Sequence, residues 1–343
     1  MLFRNTEKQN ANKDRCLRVF LRCMRRAAVV ICCLLFSARS FADISDEFEI
    51  DRWHITLHKI QNVAIGQKIS PKTINAVIQE SSFVPQIIHR DKNQPEFVLT
   101  MRQYLTNSLD QLRIKNGKNA AKKYSKLLAQ TEKKFGIPKN VILALWGMES
   151  DYGTFKSRYQ LSDSFLTLIY DGRREQFFTE QLLALMKIAD KNKLDVKSFE
   201  GSWAGAMGHF QFIPTTLRQY GVDGNGDGKI DIMNSVADAM ASAGNYLKKM
   251  GWKKGERILK SVRLPPGFKM EYCDGTTKLK PLEWRGMGIS GVPKGNKNIG
   301  LICEASMFPL AYLTYDNFYR IKKWNNSNYY AVAVALLADK LNK

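Results

Sequence analysis

Glu149 stands where a carboxylic acid can do chemistry. The eight residues before it, Val141-Ile142-Leu143-Ala144-Leu145-Trp146-Gly147-Met148, are apolar all round, the mark of a helix packed on every side. A charged group closing such a helix is costly unless it is paired or functional. Desolvation disfavours its anion and the negative end of the helix repels it, so both effects raise its pKa. A carboxyl kept protonated near neutrality is what a general acid needs. A structural Glu held by an arginine or by backbone N–H groups fits the run equally well. The residues alone leave both readings open.

A second unusual stretch runs from Gly201 to Pro214, where Gly201, Gly205, Gly208, Ala204 and Ala206 lie among aromatics. Small residues so placed allow close backbone approach, as in a groove floor against a flat ligand. Tight helix packing favours the same composition. Ser202 and Gln211 can hydrogen-bond hydroxyls or amides, whereas His209 is expected to be structural or on the surface and not catalytic. Further on, Asp223-Gly224-Asn225-Gly226-Asp227-Gly228-Lys229-Ile230-Asp231 reproduces the first nine positions of an EF-hand loop. Oxygen donors occupy positions one, three and five, and Lys229 at seven would lend its carbonyl. Position twelve is Asn234 and not Glu, which argues against a tight sensor site. One structural Ca2+ of modest affinity is expected, against the alternative of a metal-free turn.

From Ser70 to about Met250 apolar residues recur at three and four, a helical pattern. Pro71 and Pro138 each open a helix, since proline suits the first turn. Between residues 253 and 305 the character changes. Short alternating pieces (Ile258 to Leu264, Phe268 to Cys273, Gly300 to Cys303) are parted by Pro265-Pro266, Gly275, Pro293 and Gly295, which predicts a small β-containing subdomain. Helical character returns from Tyr329 to Leu341, with Ala331, Val334, Ala335 and Ala338 on one face. The fold class expected is mainly α (α+β), one helical domain with a β-containing subdomain.

The 343 residues are 44% hydrophobic and 25% charged, which excludes a disordered tail, a collagen-like repeat and a multi-span membrane protein. Basic side chains outnumber acidic ones by 53 to 32, a charge of +21. Nucleic acid, an anionic membrane face or an acidic polymer are the partners such a charge suits. Residues 1–42 hold nine of the basic residues, then the apolar run Ala27 to Phe36, then Ser40-Phe41-Ala42. That order predicts a signal peptide cut after Ala42, hence export to the periplasm. Residues 43–343 keep a surplus of 14 positive charges, so basicity belongs to the exported part. No small residue precedes Cys32 or Cys33 in the way a lipoprotein acceptor needs, and no lipid anchor is expected. Beyond the leader only Cys273 and Cys303 remain, which can bridge in an oxidising compartment or stay as two thiols.

Taken together, the chain resembles the membrane-bound lytic transglycosylase B family, enzymes that cleave the glycan strands of peptidoglycan. The resemblance rests on Gln94-Pro95-Glu96-Phe97, the Glu149-Ser150-x-Tyr152-Gly153 signature, Arg173-Arg174 and the Ala204-Gly205-Ala206-Met207-Gly208-x-x-Gln211-Phe212-x-Pro214 block. It continues through the Asp-rich loop, Asn245-Tyr246-Leu247 and Asn325 to Ala331. It implies a lysozyme-like catalytic domain over residues 43–343 with an EF-hand-like loop, completed by Asp238. It implies Glu149 as sole catalytic acid/base, Ser202 and Gln211 near the scissile bond, and Tyr104, Tyr246, Asn325 and Tyr330 against glycan. Phe177 and Trp324 stand where tyrosines are familiar in that family; Trp324 keeps a surface for sugar stacking.

Most glycosidases use two carboxyl groups, but a site with one works when the substrate supplies the nucleophile. The resemblance implies that Glu149 protonates the oxygen between N-acetylmuramic acid and N-acetylglucosamine. It then takes the proton of the C6 hydroxyl as a 1,6-anhydro ring closes. No catalytic cofactor is expected. A monomer is expected to act on peptidoglycan glycan strands, with an anionic envelope surface or other cell-wall enzymes as further partners. The competing readings are a hydrolytic muramidase and an inactive peptidoglycan-binding protein. Nucleic acid is set aside, because the basic residues form no recognisable binding module.

Overall fold

The computed structural model describes residues 50–93, 99–154 and 159–342. The expected leader and the Gln94-Pro95-Glu96-Phe97 motif lie outside them. The chain divides into two compact units, Met1–Lys59 and Ile60–Lys343. The first is described over residues 50–59, which are helical.

The second unit opens with α1 (residues 60–66), α2 (Pro71–Glu80), α3 (Pro85–Lys92) and α4 (Met101–Ser108). Pro71 takes the first turn of α2, and the Ser70 side chain caps it by accepting from the Thr73 N–H. Thr100 and Gln103 form a capping box on α4. There follow α5 (Gln111–Lys123), α6 (Ser125–Phe135) and α7 (Lys139–Ser150). Helix α7 is buried from Val141 to Gly147, as its all-apolar run requires. It packs on α14 (Asn328–Leu341), which is buried along most of its length. Beyond α7 come β1 (Tyr159–Gln160), α8 (Leu161–Asp171), α9 (Glu175–Asn192), β2 (Glu200–Gly201), α10 (Pro214–Tyr220) and α11 (Val236–Lys249). Strands β1 and β2 pair antiparallel.

The expected β-containing subdomain is a four-stranded antiparallel sheet. Its strands are β3 (Leu259–Arg263), β4 (Asp274–Leu279), β5 (Ile299–Ile302) and β6 (Leu310–Thr314), in the order β3-β6-β5-β4. Helix α12 (Pro281–Gly286) packs Trp284 into the core of this subdomain with Val262, Leu301 and Leu313. Three details differ from the sequence reading, the first being that β4 runs through Gly275, where a break between strands was expected. The subdomain runs past residue 305, because β6 closes the sheet; four of its five residues are buried, so it lacks the alternation that announces a strand. The stretch from Phe268 to Cys273 is not extended but carries a 3-10 turn at Met270–Tyr272. Cys273 and Cys303 are bridged within this core. Closing a loop with a sequence separation of 30 stabilises the fold by about 3.7 kcal/mol in the chain-entropy account. Helix α13 (Asp316–Trp324) then leads into α14.

Candidate active site at the end of helix α7

Helix α7 stops where Asp151, Tyr152 and Gly153 take positive φ values of 46°, 61° and 83°. That left-handed turn leaves Glu149 in the last helical turn, half-buried. Two donors converge on one of its oxygens. The Tyr330 hydroxyl donates to Oε1 in a very short bond, and the Trp324 indole N–H donates to the same atom at 2.9 Å. Burial pushes the Glu149 carboxyl up to about 7, against the lowering effect of the Tyr330 and Trp324 hydrogen bonds. Among the described residues no ion pair involves Glu149, so the arginine-held structural carboxylate is not what the fold builds.

The donors are themselves fixed. Trp324 ends α13, and Tyr330 lies in the first turn of α14, where the Ser327 side chain accepts its backbone N–H. Tyr246 on α11 donates its hydroxyl to the Lys323 carbonyl at 2.6 Å and stands edge-on to the Trp324 ring at 4.9 Å. Phe212 packs on the same indole at 5.1 Å. Tyr104 on α4 lies 6.0 Å from Tyr329; burial raises its pKa and the charge of Glu149 adds to that, which places the two groups in one electrostatic neighbourhood. Asn325 caps α13 with an extended backbone and is exposed. Tyr330 is buried, so its hydroxyl serves the acid and not an open glycan surface. The indole of Trp324 likewise acts through its N–H, a role that stacking alone did not anticipate.

The loop from Gly201 to Ile213 is stapled to the end of α7. The Ser150 hydroxyl donates to the His209 carbonyl at 2.7 Å, and the Trp146 indole N–H donates to His209 Nδ1 at 3.1 Å. His209 is therefore structural, as expected. Ser202 Oγ accepts from the Ala206 N–H at 3.0 Å and keeps its own proton to offer. Gln211 adopts φ of 50° and donates to the Gly208 carbonyl at 3.0 Å. It lines a cavity of about 440 Å3 with Ser150, Gly153, Glu200 and Asn234. Glu149 is not among the described lining residues of that cavity. Gly205, whose φ is 94°, serves packing, since a Cβ on it would lie 2.1 Å from the Phe165 ring, while Gly201 and Gly208 line the cavity.

Among the described residues, no carboxylate contributes to the shift of Glu149, whose causes are burial, Tyr330 and Trp324. Asp151 turns to Arg113 at 3.8 Å and to Asn116 at 3.3 Å. Arg173 is paired with Asp91, and Arg174 lies 4.4 Å over the Phe177 ring.

The loop at Asp223 holds itself open through its own backbone. Asp223 accepts from Gly226 and Gly228, Asn225 from Asp227, and Asp227 from Lys229, all at 2.6–3.0 Å. The bonds that Asp223 accepts hold its carboxyl below the usual range, the one from Gly228 first; Asp223 is half-buried, and Asn225 and Asp227 at positions three and five are exposed. Asp238 departs from its expected place. It is fully buried, and its carboxylate accepts from the N–H groups of Gly224, Asn225 and Asp231, bracing the loop from within. Among the described residues, no three His, Cys, Asp or Glu side chains gather as a metal cluster. The first half of the loop suits a hard cation; Asp238 as placed does not complete it.

The chain is similar to known proteins in sequence and in fold. Residues 53–339 match the family model described as "Transglycosylase SLT domain". The chain is 31% identical over 234 residues to membrane-bound lytic murein transglycosylase B of Escherichia coli K12, 64% of this chain and 62% of that protein. The match therefore spans less than two thirds of that relative's length. SltB3 of Pseudomonas aeruginosa, solved with NAG-NAM-pentapeptide, superposes with a TM-score of 0.81 at 37% identity, over 84% of this chain and 79% of that one. The same protein solved with NAG-anhNAM-pentapeptide gives 0.79 at 36% over the same shares. Slt35 of Escherichia coli, solved with calcium, shares the fold at a TM-score of 0.74 and 23% identity, over 84% and 92%.

Proposed function

The chain belongs to the transglycosylase SLT domain family, and on that premise we propose that it is a lytic transglycosylase cleaving peptidoglycan between N-acetylmuramic acid and N-acetylglucosamine. The observation that carries this reading is the single carboxyl of Glu149, pushed up to about 7, with two donors on Oε1. An oxygen that accepts two hydrogen bonds is a poor seat for the proton, so the acid proton sits on Oε2. Glu149 delivers that proton to the glycosidic oxygen as the bond from the muramoyl C1 breaks. The substrate's N-acetyl carbonyl supports the positive centre left behind. The carboxylate, now the form that Tyr330 and Trp324 hold best, takes the proton of the C6 hydroxyl while its oxygen closes on C1. No water is consumed. Ser202, Gln211, Tyr104 and Asn325 are proposed to hold the glycan around this point, whereas Tyr246, buried and bonded to the Lys323 carbonyl, braces Trp324.

Digestion of purified sacculi followed by mass spectrometry tests the chemistry. The expected muropeptides end in anhydro sugars, each lighter by one water than its hydrolytic counterpart. Hydrated reducing ends would make the enzyme a muramidase, and absence of cleavage would leave a binding protein.

The catalytic domain is proposed to cover residues 43–343, acting as a monomer on glycan strands after export to the periplasm. The name of the membrane-bound relative supports an envelope setting. Among the described residues no helix is long and apolar enough to cross a membrane. Asp223, Asn225, Asp227 and the Lys229 carbonyl are proposed to hold one Ca2+, which would tie down the loop ahead of α11 and take no part in the reaction. Saturating CaCl2 against chelator is expected to raise the melting temperature by roughly 2–5 °C. Asp227→Ala should remove that response; equal melting with and without Ca2+ in the unaltered protein would refute the site.

A further inference from the structure

The helices behind the active site carry a one-sided charge that the proposed reaction does not use. Along α5, Lys115, Lys118 and Lys122 recur at i, i+3 and i+7 and all are exposed. Gly117 and Ala120, on the opposite side of the same helix, are buried. A Cβ on Gly117 would lie 2.3 Å from the Tyr152 hydroxyl, so the buried side abuts the turn that follows α7. The lysine stripe consequently points away from the element that holds Glu149.

The charge extends beyond the stripe. Lys123 and Lys126 continue it across the junction with α6, and Lys133, Lys134 and Lys139 carry it to the start of α7, each of them exposed. Lys254 lies beside Gly136, 3.8 Å from where a Cβ on that glycine would stand, and brings exposed Lys253 to the same end. Across residues 111–140 the sole acidic side chain is Glu132, which is half-buried. Arg113, the lone arginine there, is engaged with the Ser108 carbonyl at 2.7 Å.

The chemistry of this face selects its partner. Glycan or single-stranded nucleic acid would call for exposed aromatic rings to stack on, and between residues 111 and 140 Tyr124 is half-buried and Phe135 buried. Recognition of individual phosphates or carboxylates favours arginine forks, which this face lacks. A broad field of hydrated lysine ammonium groups on a helical pair suits a diffuse sheet of negative charge, where each cation adds to the attraction. We propose that this lysine face docks the protein on an anionic lipid bilayer, with the reacting carboxyl carried on the far side of α5.

The test compares the full chain with two charge-reversed forms of equal net charge. One carries Lys115→Glu, Lys118→Glu and Lys122→Glu; the other carries Lys191→Glu, Lys269→Glu and Lys294→Glu at exposed positions elsewhere. Binding is measured by flotation with vesicles of phosphatidylcholine alone or mixed equally with phosphatidylglycerol, at low and high NaCl. The expected result is binding to the mixed vesicles only, lost in high salt, and weakened at least about tenfold by the first triple change but not the second. Cleavage of soluble glycan fragments should be the same for all three proteins. Equal weakening by both triples would show that net charge alone acts, and would overturn the proposal. So would undiminished vesicle binding by the first triple. Loss of sacculus binding with vesicle binding intact would assign the face to the wall polymer instead.

Discussion

Glu149→Gln is expected to abolish glycan cleavage, with kcat/KM lowered by about 10^3-fold or more. The amide fills the same space and its carbonyl oxygen can accept from Trp324 and Tyr330 as Oε1 does. What it lacks is a proton to give and a basic oxygen to take one back. One group performs both steps in the proposed reaction, so its loss is not shared with a second carboxylate; Asp151 is turned toward Arg113. The measurement is release of anhydromuropeptides from sacculi, with binding to the same sacculi as the control. Retained binding with lost release is the expected pair of results. Release at the normal rate would end the assignment of Glu149.

The same substitution has a stability counterpart. The Glu149 carboxyl rises from 4.5 to about 7 on folding, chiefly through burial. Between those values the folded protein holds a proton that the unfolded chain has released, so stability falls as pH rises through that window. The loss is complete above about pH 7 and corresponds to no more than about 3 kcal/mol. Glutamine does not ionise. Glu149→Gln should therefore melt higher than the unaltered protein at pH 8, by roughly 5 °C, and alongside it at pH 4. An acid placed for reaction is here a cost to the fold.

How much of this was legible in the sequence depends on the reach of each signal. The helix from Val141 onward, the proline starts at Pro71 and Pro138, and the strand around Leu259–Arg263 followed from local pattern alone. Strand β6 did not, because a strand buried on both faces has no alternation to detect. The partners of Glu149 lie 175 and 181 residues further along the chain, beyond the range of any periodicity. Family resemblance put Trp324 and Tyr330 near the glycan; only the packing of α14 against α7, and of α13 against α14, turns their N–H and O–H onto the acid. Asp238 shows the opposite failure. The family resemblance implied a ligand there, but burial and three backbone N–H groups make it a brace.

The largest effect after loss of the acid itself is expected at Tyr330. Its hydroxyl and the Trp324 N–H both favour the ionised form of Glu149, the form that develops as the proton leaves for the glycosidic oxygen. They stabilise the transition state more than the protonated ground state, so removing them should lower kcat and leave KM nearly unchanged. Hydrogen bonds to a charged group contribute about 1.5–3 kcal/mol, which sets the loss for Tyr330→Phe at roughly 10- to 100-fold. Trp324→Phe should fall at the lower end of that range, since a partly accessible carboxylate recovers some solvation. The pH profile separates this role from a packing role. In the unaltered enzyme kcat/KM should be flat in mild acid and fall tenfold per unit above about pH 7, as Glu149 loses its proton. Each phenylalanine removes an interaction that holds the carboxyl down, so the midpoint of that fall must move to higher pH, further for Tyr330→Phe. A lowered rate with an unmoved midpoint would show that these residues only support the fold. A midpoint displaced toward acid would reverse the sign of the electrostatics on which the reaction scheme rests.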